Sequence, residues 1–353
     1  MKTRITELFE VEYPIVLSAM MYVSVPKLVA AVSNAGGFGL LASATVSNSE
    51  EEVRKAIREV REMTDKPFGV NIPMLLPERF KVAKVCQEEG IKVVNTSIGN
   101  PAELMGWAKE ARMKVIHTCG SLGHAMKLAK HGIDGVIVAG SEGGGHTGFV
   151  GTMVLIPDVA DKVKVPIIAA GGIADARSLA AALCLGADGV AMGTRFAMTQ
   201  ESPVPENIKQ RMVKATADDT FASDMATGFN ARALVNDYVK RLMTYRKGAS
   251  SWEKLLSAIR LSRKLKMRAG DMAPLGRKAL TRNAESTEFN MNMVPGFERI
   301  RRAYQDADAD EGFLLCGQVA GRCDSIPTVK EVMLSVVSNV QAVVDGASVK
   351  IRP

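Results

Sequence analysis

Eight short apolar runs alternate with amphipathic stretches over roughly the first 200 residues, and this alternation constrains the fold more than any other feature of the chain. The runs lie at 14–18, 38–41, 68–71, 93–96, 115–119, 135–138, 167–169 and 189–192. Helical patterns follow near 26–35, 49–63, 78–89, 101–111, 121–130, 155–162 and 175–185. Ser49 ahead of Glu50, Glu51 and Glu52 is a helix N-cap with an acidic first turn. Repeated strand–helix units predict parallel strands joined by crossover helices. Eight such units favour closure over an open sheet. The expected fold class is α/β, a (β/α)8 TIM barrel.

The eighth run still needs its helix. Residues 328–344 carry Val329, Val332, Met333, Val336, Val337, Val340, Val343 and Val344. That spacing is amphipathic and is assigned to the closing barrel helix. The barrel is then expected from 1–205 and 311–353, and 206–310 becomes a helical insertion after strand eight, a lid over the barrel mouth. The acidic residues Asp306, Asp308, Asp310 and Glu311 mark its exit as a solvated turn.

Composition excludes several classes of function. No apolar run reaches the roughly 20 residues that span a bilayer, and no signal-peptide core follows Met1. A cytoplasmic enzyme is expected. The five cysteines are scattered with no CxxC pair, so neither a metal site nor a disulfide framework is indicated. The net charge of +7 has its surplus at Lys240, Arg241, Arg246, Lys247 and 260–268. With only 5% aromatic residues and no nucleic-acid motif, that surplus reads as a solvated basic helix face, able to attract anionic substrates or cofactors, rather than as a nucleic-acid site.

Three glycine elements sit directly after strand-like runs, where an α/β barrel keeps its active site. The first runs Gly143-Gly144-Gly145-His146. Glycine lets backbone approach a ligand and adopt positive φ, and histidine is the side chain suited to moving protons near neutral pH. His146 is therefore the candidate catalytic residue. The other histidines, His117 in strand five and His124 and His131 on a helix, read as structural or exposed. The second and third elements, Gly171-Gly172 and Gly193-Thr194, follow strands seven and eight, the loops that cradle phosphate in this fold. Asn71 ends strand three, and Ala19 and Met20 end strand one. Cys119 ends strand five and is expected to face the same mouth. Gln318 precedes the closing helix.

These residues resemble the nitronate monooxygenases, formerly called 2-nitropropane dioxygenases. The likeness rests on Pro14-Ile15 with Ala19-Met20, on Ala35-Gly36-Gly37, and on Pro67-Phe68-Gly69-Val70-Asn71. It continues in Gly144-Gly145-His146-Thr147-Gly148, in Pro166 to Ile173, and in Met192-Gly193-Thr194-Arg195-Phe196. The same set is similar to FMN-dependent enoyl-acyl-carrier-protein reductases and to an NADH:quinone reductase branch. The resemblance implies FMN across the strand C-termini, with its phosphate on Gly171, Gly172, Gly193 and Thr194. It implies ring contacts from Ala19, Met20 and Asn71, with Gly145, Thr118 and Gln318 nearby and His146 beside the reactive edge. Thr118 stands where family members often carry lysine. The implied activity is oxidation of alkyl nitronates with O2. The alternative is NAD(P)H-dependent reduction of an enoyl thioester or a quinone, with the nicotinamide as co-substrate. The expected partner is a small-molecule substrate, with no metal and no membrane span; a homodimer is compatible with this reading.

Overall fold

The computed structural model describes residues 1–45, 49–244 and 284–351. Arg246, Lys247 and the basic residues of 260–268 lie outside them. Eight parallel strands form one sheet: β1 (Ile15–Leu17), β2 (Gly39–Ala42), β3 (Phe68–Pro73), β4 (Val93–Ser97), β5 (Lys114–Cys119), β6 (Gly135–Ala139), β8 (Ile167–Ala170) and β9 (Gly189–Met192). β7 is the two-residue strand Gly145–His146, outside this sheet. The order β1-β9-β8-β6-β5-β4-β3-β2 runs round the molecule. A parallel bridge between Val16 and Phe38 joins the two ends, with Leu17 N donating to Phe38 O and Phe38 N to Ile15 O, each at 2.9 Å. The expected (β/α)8 barrel is present.

Because strand side chains alternate between faces, one parity per strand points into the barrel. Val16, Phe38, Leu40, Val93, Ile116, Ile137, Ile168, Ala170 and Ala191 form the inner cluster. The helix Arg4–Phe9 closes the lower end by adding Ile5 and Phe9, whose ring stacks on Phe38 at 4.1 Å. The opposite parity, including Leu17, Leu41, Val70, Val94, Val115, Val136 and Val190, belongs to the outer cluster beneath the helices. Cys119 belongs to that outer layer, with 4% exposure. It faces away from the mouth, contrary to expectation, and burial pushes its thiol up to about 12. The parity that places Thr118 inside turns its neighbour out.

Ser49 caps the helix Glu50–Met63 by accepting from Glu52 N. The closing helix, Val329–Lys350, begins with a Thr328–Glu331 capping box. It buries Val329, Val332, Met333 and Val336 against the helices Ala176–Cys184 and Pro26–Asn34. By length and composition this helix is apolar enough to cross a membrane, yet its first half is part of the barrel shell.

The stretch expected to be purely helical also holds an antiparallel hairpin. β10 (Thr220–Ser223) pairs with β11 (Ala231–Leu234), and β11 pairs in turn with β7. Helices Glu206–Val213, Asp237–Thr244 and Ala284–Gln305 flank it. Ala226, Ala231, Ala233, Tyr238, Val239, Leu242, Ile300 and Phe313 form a separate small core, against which Met21 and Tyr22 from the loop after β1 pack.

Candidate active site

At the strand C-termini the inward parity changes from aliphatic to polar. On β3, β4 and β5 the residues above Gly69, Val93 and Ile116 are Asn71, Asn95 and Thr118. Asn71 Nδ2 donates to Asn95 Oδ1 at 2.8 Å and to Ser97 Oγ at 3.1 Å. Asn95 Nδ2 donates to Thr118 Oγ1 at 3.1 Å. Asn71 is 5% exposed and Asn95 1%. Polar groups buried this deeply must be bonded to be tolerated, and this chain satisfies them while leaving Asn71 Oδ1 without a donor from any described residue. Two sequence-derived candidates, Asn71 and Thr118, thus meet through Asn95. Asn95 lies inside the expected fourth run, 93–96, but carries no local signal of its own, since Asn disfavours strands. Its matched register with Asn71 was the available signal.

Next round the barrel the wall is backbone. Gly171 and Gly172 both have positive φ, +92° and +76°, the left-handed region that favours glycine. A Cβ added to Gly172 would meet only Glu142 Cβ, at 3.8 Å, so the backbone there is open. The N–H groups of Gly172, Gly193 and Thr194 donate to no described residue. A cavity of about 360 Å³ opens beside Gly172, bounded by Ala174, Asp175, Ser178, Val319 and Arg322. Neighbouring loops hold the turn. Thr152 Oγ1 lies 3.0 Å from the Gly171 carbonyl oxygen and 2.9 Å from Glu142 Oε2, and Glu142 accepts from Thr152 N at 2.9 Å. Gln318 N donates to Glu142 O at 3.0 Å, and Gly317 N to Thr194 Oγ1 at 3.0 Å. Gly144 passes so close to this strap that a Cβ would lie 2.6 Å from Gly317 N. Met20 Sδ lies 3.5 Å from the point where a Gly193 Cβ would stand, and Ala19 packs on the inner cluster. Unpartnered N–H groups beside an open cavity at Gly172 fit a phosphate, and the free Asn71 amide oxygen fits a donor on a ring.

The glycine–histidine segment proves to be a strand, not a free loop. Ala231 pairs with His146 and Arg232 with Gly145. Thr147 N donates to Asn230 O at 3.0 Å, and Asn230 Nδ2 returns bonds to Thr147 O and Gly148 O. Arg232 Nε donates to Ser141 O at 2.9 Å. Gly145 takes up φ +73° to start the strand. The His146 ring is half-buried, its Nε2 3.1 Å from Thr227 Oγ1, with Phe229 edge-on at 5.2 Å and Phe297 at 6.3 Å. All three neighbours come from the insertion. Burial alone pushes the imidazole down to about 4, so it is neutral at pH 7. The other histidines lie elsewhere. His117 is fully buried on the outer face, 2.8 Å from Thr96 Oγ1 and edge-on to His124, and burial lowers it to about 3. His131 is exposed. Thr227, Phe229 and Phe297 carry no local motif, since they reach His146 only through the pairing of distant segments.

Residues 2–339 match the family model described as nitronate monooxygenase. A similar curated protein is the (3aS,4S,5R,7aS)-5-hydroxy-7a-methyl-1-oxo-octahydro-1H-indene-4-carboxyl-CoA dehydrogenase of Mycobacterium tuberculosis, 38% identical over 341 residues, covering 96% of this chain and 95% of that protein. A probable nitronate monooxygenase of Staphylococcus saprophyticus is 32% identical over 292 residues, covering 69% of this chain and 82% of its own. Among solved structures, FabK from Thermotoga maritima superposes with a TM-score of 0.81 at 34% identity, covering 99% of this chain and 100% of its own.

Proposed function

Because the chain belongs to the nitronate monooxygenase family and is an oxidoreductase of that family, we propose that it is an FMN-dependent enzyme acting on a coenzyme A thioester. The observation that carries this reading is the degree of the likeness. The match to the CoA-ester dehydrogenase spans 96% of this chain, and so takes in the insertion that walls His146. The match to the probable nitronate monooxygenase covers 69%. The nitronate monooxygenase family model also spans the insertion, at 2–339, so the weight falls on the higher identity to the thioester enzyme, 38% against 32%. The net charge of +7 favours a polyanionic substrate such as a coenzyme A ester. Oxidation of alkyl nitronates, the activity implied by the family resemblance, becomes the second reading.

In this proposal Gly171, Gly172, Gly193 and Thr194 hold the FMN phosphate through backbone N–H groups and the adjoining helix start. Asn71 Oδ1 accepts from the ring edge, and Thr118 and Asn95 keep that amide oriented. Ala19, Met20, Gly145 and Gln318 line the remainder. Bound FMN would supply two-electron exchange with the substrate and with a nicotinamide, NADH or NADPH. The protein's own chemical contribution is the proton. His146, neutral beneath Thr227, Phe229 and Phe297, takes or returns the substrate proton, and those neighbours limit water at the ring.

The test is to release and identify the flavin, then assay two reactions in parallel. FMN in near-stoichiometric amount, and anaerobic turnover of a nicotinamide with a bicyclic or enoyl CoA thioester, are the expected results. Oxygen uptake with propionate-3-nitronate and no reaction with any thioester would overturn the substrate reading. FAD, or no flavin after reconstitution, would overturn the cofactor.

A further inference from the structure

The hydrogen-bond chain that ends the glycine–histidine strand has a direction. Thr227 Oγ1 is 3.1 Å from His146 Nε2 and donates to the Phe229 carbonyl oxygen at 3.2 Å. A hydroxyl has one proton and a carbonyl can only accept. The hydroxyl lies 3.1 Å from Nε2 and 3.2 Å from Phe229 O; where its proton goes to Phe229 O, Thr227 Oγ1 accepts from the ring and Nε2 carries the hydrogen. His146 Nδ1 has no hydrogen-bond partner among the described residues. A neutral imidazole bears one N–H and one lone pair, which leaves the lone pair on Nδ1.

We propose that Thr227 is a positioning residue for His146: it fixes the ring as the Nε2–H tautomer and makes Nδ1 the atom that exchanges the substrate proton. The inference rests on His146 acting on substrate and says which face of the ring acts. Several contacts hold Thr227 in place. The backbone of Ala231 pairs with His146 four residues further along. Phe229 and Phe297 flank the ring and limit its rotation. The helix Ala284–Gln305 seats directly on the Ala226–Thr227 backbone at Gly296, where a Cβ would lie 2.8 Å from Thr227 Cγ2. When Nδ1 takes a proton, Nε2 keeps its hydrogen and Thr227 still accepts it, so the ring need not turn between the two halves of a proton exchange.

The experiment uses flavin-loaded protein labelled with ¹⁵N-histidine. Long-range ¹H–¹⁵N correlation distinguishes the two tautomers, and the His146→Ala spectrum assigns the signal among the four histidines. Wild type is expected to show Nε2–H. Thr227→Val, which keeps the shape and removes the hydroxyl, should shift the balance towards Nδ1–H by about 5- to 150-fold, the factor for a buried donor left unmade. It should lower kcat by about 10-fold or more at unchanged flavin content, less than loss of the base itself. Thr227→Ser should restore both tautomer and rate. An Nδ1–H ring in wild type, or an unchanged tautomer in Thr227→Val, overturns the proposal. A tautomer shift with unchanged kcat upholds the hold on the ring and refutes the catalytic reading of His146, so the two failures are distinguishable.

Discussion

His146 is charged or neutral according to what covers it, and here the cover is aromatic. No charged side chain contributes to its shift; burial moves it from 6.5 to about 4. A base must be unprotonated to work, so the acid limb of a His146-dependent kcat/KM profile, which reports the free enzyme, is expected near pH 4 rather than near 6.5. The sign for stability is the same. Between those values the unfolded chain binds a proton at this residue that the folded chain refuses. Its contribution to stability is complete above about 6.5 and is lost as the pH falls towards 4. The check is a pair of kcat/KM profiles, wild type against Phe297→Ala, which lets water reach the ring. The Phe297→Ala limb should move up towards 6.5. A wild-type limb near 6.5, or coincident limbs, would show that burial under the insertion does not set this titration.

Elements that the local pattern specifies are found where expected, and those that depend on distant partners are not. The eight barrel strands, the Ser49 cap and the closing helix were legible because each repeats a period of its own. Glycine pairs after β8 and β9 were legible because a barrel gives those loops a fixed place. β7 was not: two residues have no period, and their partner strand lies about 85 positions later in the chain. The hairpin β10–β11 was equally hidden, because Thr220 to Leu234 is short and carries no Asn-Gly turn signal. Helix Ala284–Gln305 seats on the turn before β11 at Gly296. Its Cβ position is filled by the Ala226 carbonyl and by Thr227. Valine there must push the helix or the turn away, although in an open helix it would be better tolerated than glycine. Gly296→Val is expected to keep the barrel folded and the flavin bound. It should reduce turnover by about 10-fold or more, in the range of a misplaced catalytic group, and raise cleavage by protease within the insertion. Wild-type turnover from this variant would mean that the helix does not seat the histidine.

Across the whole molecule, the glycine turns after β8 and β9 lie where the barrel meets the strap Gly317–Gln318 and the loop that leads into β7. Gly171 and Gly172 leave β8, and Gly193 and Thr194 leave β9. The strap Gly317–Gln318 bonds to Thr194 and to Glu142, whose loop runs on into β7 and so into the insertion. An anion bound to the open N–H groups would therefore brace a turn tied to a strap 123 residues further along the chain. Any ligand that binds only the folded state raises stability by mass action, about 2.7 kcal/mol at a free concentration 100 times its Kd. If the phosphate is the anchor, FMN should raise the Tm of the flavin-stripped protein markedly, and riboflavin, which has the same ring without the phosphate, should raise it little. Gly172→Leu supplies the control. Its side chain would occupy the space over the open backbone and force a branched residue to φ +76°. Scanning the wild type and this variant with each ligand separates cradle from ring. The cradle predicts an FMN-specific rise that Gly172→Leu abolishes. Equal shifts from riboflavin and FMN, or an undiminished FMN shift in a folded Gly172→Leu protein, would place the anchor on the Asn71 side of the mouth.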